Sequence, residues 1–514
     1  MIRTQLEADY TVGVVGAGTM GRGIAQVAAQ AGFRVRLVDV KPGVAEQARD
    51  FVDKMLGRAV EKGKLQTDER AATMARIETA SELAALAGSD LVIEAVIEDL
   101  ELKQRIFADL EEICGADAVL VSNTSALPIA AIGARCARRE RVAGMHFMNP
   151  VPLMKLVEVI STPFTAPEVV AVLLVLAERM NKTAIRVQDF PAFLAGNCAR
   201  GFYTEALRFN QESLAPPAVI DRIVREAGGF RMGPFEVMDL VGLDVNYPAS
   251  KSLFEAAFYD PRYRLTPQFR LLTEAGMLGR KTGAGFYRYD ADGKAMIEPE
   301  AAVSAALPAA VWLWAHDSGA RERLQALAAT AGVEVAAAER PPAGILCLVA
   351  PLGEDASTTA ARLGLDPAHT VAVDTLYGWD RLRTVMAPPG ADQATVAAAL
   401  ALLGADGTAA VRINDSPGFI MPRLQANITN LACDLCQQGI AAPDDVDLGM
   451  RLGFNFPEGP LAAGDRLGSG VMLELVQALH EFYGDDRYRP SPWLRRRGVL
   501  GLALNTPERA PAAA

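Results

Sequence analysis

The stretch VGVVGAGTMG, residues 12–21, decides how this chain is read. It sets Gly16, Gly18 and Gly21 in a G-x-G-x-x-G spacing, between an apolar β-rich run and an Ala-rich helical pattern. A strand that turns through glycines into a helix offers free backbone N–H groups and the positive end of the helix dipole, which suit a pyrophosphate. Gly16 permits the tight turn, Gly18 lets the backbone approach the phosphates, and Gly21 lets helix and strand pack closely. Met20 lies inside the same turn and is counted with it. Asp39 ends the next strand, eighteen residues after Gly21. A carboxylate there accepts from both ribose hydroxyls and repels a 2′-phosphate, so the expected cofactor is NAD rather than NADP.

Outward from this turn, apolar β-rich runs fall at 10–15, 34–38, 90–96, 118–122, 141–147, 156–160 and 184–187. Helical patterns separate most of them, at 20–31, 44–61 and 100–113. Strand and helix in alternation imply a Rossmann-type, doubly wound α/β domain with a largely parallel sheet over residues 1–190. From 191 to 290 the strands give way to helical patterns broken by PP, GP and YP, which reads as an all-helical domain. After a linker at 291–308, runs at 310–315, 333–338, 344–349 and 370–376 point to a reduced Rossmann-like domain over 300–414. Its first turn, His316-Asp317-Ser318-Gly319, has no glycine triplet, so no dinucleotide is expected there.

A second helical domain follows at 415–505, and it repeats the first. Shifting by 226 positions aligns Asp189 with Asp415, Pro191 with Pro417, Phe193 with Phe419, Pro217 with Pro443, Asp221 with Asp447, Gly233 with Gly459, Asp239 with Asp465 and Gly242 with Gly468. One offset holding over so many positions implies a tandem, degenerate copy of the α/β-plus-helical unit.

The bulk composition narrows the class. At 514 residues the chain is too long for one core. A net charge of −11 argues against a nucleic-acid partner. No apolar run is long enough for a membrane span, and the N-terminus has no signal-like segment. Six cysteines at irregular spacing make no disulfide framework, and Cys433 and Cys436 form a CxxC without a second ligand pair. No metal site is expected, and the default setting is a reduced cytoplasm. The closing RAPAAA, 509–514, is expected to be disordered and without function.

One of the four histidines, His146, lies in the first unit, in MHFMNP at the end of a β-run, where α/β folds face their ligands. Twelve residues on, Glu158 sits in the apolar run 156–160, and a carboxylate on a buried strand is costly unless paired. Singly, each fits a satisfied core histidine and an unrelated edge glutamate. Together, beside a hydride-transfer cofactor, they fit a general base and the carboxylate that holds it.

Three stretches, SNTS at 122–125, HFMNPVPLMKLVEVI at 146–160 and RKTGAGFY at 280–287, resemble the L-3-hydroxyacyl-CoA dehydrogenase family. The tandem plan is similar to its long bacterial members, the 3-hydroxybutyryl- and 3-hydroxyadipyl-CoA dehydrogenases of phenylacetate breakdown. The resemblance implies NAD-dependent oxidation of a 3-hydroxyacyl-CoA, with His146 as base, Glu158 orienting it and Ser125 bonding the 3-oxygen. It places Glu98, Lys103, Asn123 and Asn149 near the nicotinamide half of NAD. Lys62 or Lys64, on the helix after Asp39, would meet coenzyme A. The family's helix-opening pattern is similar to D-x-P-G-F-x-x-N, whereas residues 189–197 read DFPAFLAGN. Gly196 stands where the site asparagine is expected and Asn197 comes one residue late, a rotation of about 100° on a helix. Asn197 therefore faces the substrate only if the helix starts late.

Two other functions fit the same fold, a dehydrogenase of free 3-hydroxy or sugar acids and a non-catalytic NAD-binding protein. The first commonly uses a lysine instead of a His–Glu pair. The second half keeps packing residues and lacks the histidine and the NPVP turn, which implies one site per chain. It also implies an intrachain pseudo-dimer of the helical domains, with a homo-oligomer possible besides.

Overall fold

The computed structural model describes residues 2–7, 9–298 and 305–508. The closing RAPAAA and part of the expected linker lie outside the described residues. Contacts divide the chain into two compact units that cut across the expected segments. The first joins the chain up to Asn197 with 438–454, and the second takes 198–437 with the chain from Asn455 on.

The first unit is built on eight strands: β1 Thr11–Val15, β2 Arg34–Val38, β3 Ile77–Ala80, β4 Leu91–Glu94, β5 Val119–Ser122, β6 Val142–Phe147, β7 Leu156–Ser161 and β8 Thr183–Gln188. Their order is β3-β2-β1-β4-β5-β6-β7-β8, and every neighbouring pair is parallel except β6–β7. Parallel strands covered on both faces read as continuous apolar runs, and the inner strands β1, β4 and β5 are buried throughout. β3, with the sequence IETA, is the strand that pattern reading misses. It is short, lies at the sheet edge and buries only Ile77.

Helices follow the strands much as the periodicity implies, at Thr19–Gln30, Val44–Glu61 and Leu100–Cys114. The second of these ends at Glu61, where its helical pattern stops. Gly63, at φ 66°, turns the chain, and Gly63 N and Lys64 N bond back to Val60 and Ala59. Lys62 is thus the helix C-cap and Lys64 lies beyond the helix, so neither projects from its body.

The second unit holds a six-stranded sheet, with β9 Ala310–Ala315, β10 Glu334–Val335, β11 Leu346–Ala350, β12 Thr370–Val373, β13 Leu382–Met386 and β14 Ala409–Arg412. The order is β10-β9-β11-β12-β13-β14, with β12–β13 the antiparallel pair. β13 and β14 are not evident in the sequence pattern. β13 carries Arg383 and Thr384 into a buried strand, which hides its period. In the turn after β9, the Asp317 carboxylate accepts from Ala320 N at 2.7 Å and caps the helix Ser318–Ala331. An acid at that helix start would repel a phosphate.

Around this sheet the second unit is helical. Its centre is Arg423, fully buried on the helix Met421–Gln437. Arg423 Nε donates to Glu205 at 2.6 Å, and Nη1 donates to Glu212 at 2.8 Å and to the Tyr483 hydroxyl at 2.6 Å. The RKTGAGFY segment is held by two buried acids. Asp239 accepts from Phe286 N, Tyr287 N and the Tyr289 hydroxyl, and Asp221 accepts from the Tyr287 hydroxyl. Burial pushes the Asp221 carboxyl up to about 7 against its hydrogen bonds.

Some contacts in this unit join residues 226 apart. Asn427 Nδ2 donates to Gly201 O at 3.0 Å, and the rings of Phe230 and Phe456 lie 5.0 Å apart.

Candidate active site

The site begins at the glycine turn. Gly16 takes φ +94°, and a Cβ there would fall 2.7 Å from Ala95 O. A Cβ on Gly21 would stand 1.7 Å from Gly16 O, so this close helix–strand crossing excludes any side chain. At Gly18 nothing lies within 4 Å of a Cβ position, which leaves the turn open on the side a pyrophosphate needs. Met20, on the helix behind, packs partly against the core. Asp39 is half-buried after β2, its Oδ2 accepting from Ala17 N at 2.9 Å and its Oδ1 from Lys41 N at 3.0 Å. These residues fit NAD: an open anion cradle at a helix start, with a carboxylate just after the second strand.

β6 and β7 carry His146 and Glu158. Their antiparallel register sets His146 directly opposite Glu158, and opposed side chains in such a pair project to the same face. His146 Nδ1 lies 2.7 Å from Glu158 Oε2. Glu158 is fully buried, and its other oxygen accepts from Leu194 N at 3.0 Å and Ala195 N at 2.9 Å. Three donors offset the cost of burying this carboxylate. A carboxylate at Nδ1 favours the tautomer with the proton on Nδ1, which leaves the Nε2 lone pair able to accept a proton. Against the imidazole packs Phe193, with ring centres 5.8 Å apart.

A buried network prepares the neighbouring loops. Glu94, fully buried at the end of β4, accepts from Lys103 Nζ at 2.6 Å, Ser122 Oγ at 2.7 Å and Val96 N at 2.7 Å. Lys103 is itself buried and also lies 3.5 Å from Glu98, so its ammonium is spent inside the protein. Glu98 accepts from the Thr124 hydroxyl at 2.9 Å and from Ser125 N at 2.8 Å, with Ser125 Oγ at 3.2 Å. Asn123 Oδ1 accepts from Phe147 N at 2.9 Å, tying β5 to the end of β6. Asn149 is exposed just beyond. Lys182, buried, donates to Val151 O and to Met154 O (2.8 Å), pinning the turn after Asn149; burial brings its ammonium down to about 8.

The structure therefore brings Ser125, Glu98 and Lys103 into one hydrogen-bonded group and His146 and Glu158 into another. The helix starts at Ala195, and Asn197 is buried with Nδ2 donating to Pro191 O at 3.2 Å. Lys62 is exposed at its helix end. Sequence reasoning missed Glu94, Ser122, Thr124 and the two backbone donors to Glu158. Glu94 had a signal, an acid closing the apolar run LVIE with a lysine nine residues on. The backbone donors had none.

A glycine-turn cradle, an acid after the second strand and an imidazole held by a carboxylate on the antiparallel pair β6–β7 together define a dinucleotide-dependent dehydrogenase. Comparison with known proteins agrees. A family model described as 3-hydroxyacyl-CoA dehydrogenase, NAD binding domain, matches residues 11–190, and the model of that enzyme's C-terminal domain matches 193–289 and 418–504. The chain is 37% identical over 495 residues to the 3-hydroxyadipyl-CoA dehydrogenase of Escherichia coli (strain K12), covering 95% of this chain and 98% of that one. It is 35% identical over 285 residues to the mitochondrial hydroxyacyl-coenzyme A dehydrogenase of Homo sapiens, covering 54% of this chain and 90% of that one. A crystal structure of 3-hydroxybutyryl-CoA dehydrogenase from Escherichia coli K12 superposes with a TM-score of 0.84 at 35% identity, covering 96% of this chain and 99% of that one. The chain belongs to the 3-hydroxyacyl-CoA dehydrogenase family, and it is an NAD-dependent oxidoreductase.

Asp39→Ala is expected to weaken NAD binding about tenfold or more, the size of a lost charge-assisted hydrogen bond, and to narrow the preference over NADP. Fluorescence titration with both cofactors checks this; unchanged NAD affinity would remove Asp39 from the ribose site.

Proposed function

We propose that the chain oxidises an L-3-hydroxyacyl-CoA to the 3-oxoacyl-CoA, with the acyl group drawn from the short or dicarboxylic class that the names of its long relatives carry. The observation behind this reading is the 2.7 Å contact of His146 with a Glu158 that two backbone donors fix. His146 Nε2 takes the proton of the 3-hydroxyl, and Glu158 holds the ring and balances the imidazolium. Ser125 Oγ bonds the 3-oxygen, steadied through Glu98 by the buried Glu94–Lys103 pair. Bound NAD supplies the hydride acceptor. Asn149 and Asn123 shape the nicotinamide side, and Lys62 is the cation offered to coenzyme A. Among the described residues no helix is long and apolar enough to cross a membrane, which suits a cytoplasmic enzyme.

This mechanism is tested by supplying NAD with a 3-hydroxyacyl-CoA thioester or with the free 3-hydroxy acid. NADH is expected from the thioester alone. Equal rates from the free acid would favour the rival dehydrogenase class.

The four-domain plan, with the second half as an inert copy, belongs to the same proposal. In β12–β13, Asp374 N donates to Thr384 O at 2.9 Å, and Thr384 stands 226 positions after Glu158. Ala372 stands 226 positions after His146, so at that offset an alanine and a threonine occupy the places of His146 and Glu158. The pseudo-dimer rests on reciprocal contacts, which a two-fold arrangement requires: residue i meets j of the copy, and j meets i of the copy. Gln188 N donates to Ile440 O at 2.8 Å in the first unit, and Asn414 N to Leu214 O at 2.8 Å in the second. Each member of one bond is 226 positions from its counterpart in the other. Ending the chain after Asp290 removes these partners and is expected to give aggregation or an intermolecular dimer on size-exclusion chromatography. A soluble, fully active monomer would contradict the plan.

A further inference from the structure

The helix Pro443–Phe454 belongs by sequence to the second half, yet it is part of the first unit, packed on β7 and β8. Asp445 Oδ2 accepts from Arg186 N at 3.3 Å, and just before the helix Ile440 O accepts from Gln188 N. Two glycines let the helix come this close. A Cβ on Gly449 would stand 3.0 Å from Ile185 Cδ1 and 3.1 Å from Leu194 Cδ2; one on Gly453 would stand 2.7 Å from Leu156 Cδ2. The atoms touched are not arbitrary. Leu156 is two residues before Glu158 on the same face of β7, and Leu194 supplies one of the two N–H groups that hold the Glu158 carboxylate.

We infer that this helix of the second half is the backstop of the catalytic pair. Through Gly449 and Gly453 it sets the positions of Leu194 and Leu156, and so the distance of Glu158 from His146. Gly449 and Gly453 are positioning residues that touch neither cofactor nor substrate. The inert half then contributes to turnover as well as to folding. This rests on the His146–Glu158 reading above.

The test is a double-mutant cycle on the full chain, with kcat and both KM values measured for wild type, Gly449→Val, Glu158→Gln and the double variant, using NAD and a 3-hydroxyacyl-CoA. Misplacing a catalytic group by a fraction of an ångström costs on the order of tenfold in rate. Gly449→Val is therefore expected to lower kcat about tenfold while both KM values stay within about twofold. In the Glu158→Gln background the same change should cost less than about twofold, since the carboxylate it displaces is gone. Adding Leu194→Ala to Gly449→Val makes room while keeping the backbone N–H, and should recover most of the lost rate. Equal losses in both backgrounds, or no loss in the first, would overturn the inference. If Gly449→Val does not fold, Gly449→Ala, whose single methyl meets Leu194 and Ile185, carries the same cycle at smaller amplitude. A Glu158→Gln enzyme with undiminished kcat would instead overturn the His–Glu reading itself.

Discussion

His146→Gln is expected to lower turnover by about two to four orders of magnitude, the usual contribution of a positioned general base. NAD affinity should stay close to that of the parent chain, because the imidazole meets Glu158 and Phe193 rather than the glycine turn. Glutamine is the appropriate probe: it is polar, can still donate to Glu158, and cannot take the hydroxyl proton. It therefore leaves the buried carboxylate partnered and isolates the chemistry from the stability cost of an orphaned charge. Stopped-flow measurement of NADH formation at saturating substrate, with NAD binding measured in parallel, checks both parts. A loss of less than tenfold would mean that another group takes the proton.

Arg423→Met should produce the largest change in stability. Arg423 is wholly buried, and its guanidinium serves Glu205, itself wholly buried, together with Glu212 and the hydroxyls of Tyr483 and Tyr488. Removing one partner of a buried ion pair leaves an uncompensated charge and costs about 3–5 kcal/mol. Arg487, 3.6 Å from Glu205, makes up part of the loss, which places the expectation near the lower end of that range. Urea denaturation followed by tryptophan fluorescence should show a transition at clearly lower urea. Glu205→Gln added to Arg423→Met should regain part of the loss by removing the stranded charge. A transition shifted by less than about 1 kcal/mol would show that Arg423 does not hold this core together.

Arg423 also shows where the sequence stops being informative. An arginine in a helical pattern ordinarily reads as a solvated face, and nothing local to MPRLQAN says that two glutamates more than two hundred residues earlier will meet it. The first sheet was legible because burial on both faces writes apolar runs into the sequence, as at TVGVV and LVIE. The edge strand IETA, buried at one residue, writes no such signal. Within the candidate site, the glycine turn is legible because its backbone leaves no room for a side chain at Gly16 and Gly21, Asp39 because it is the acid that follows the second strand, and Glu158 because a carboxylate in an apolar run demands a partner. The resemblance places Lys103 near the cofactor, and that its ammonium is buried against Glu94 is not legible from the sequence. Burial depth along a helix is set by tertiary packing, which the resemblance does not carry. The same holds for Leu194 and Ala195, whose contribution is a backbone N–H and hence independent of side-chain identity.

The central claim is that His146 and Glu158 act as one unit in the only catalytic half of the chain. The most direct measurement compares kcat for NAD-dependent oxidation of a 3-hydroxyacyl-CoA by His146→Gln, Glu158→Gln and the variant carrying both. Groups that act together are strongly non-additive. The double variant should be no slower than His146→Gln alone, within about twofold. If the two losses multiply, the imidazole and the carboxylate work independently and the site described here is wrong.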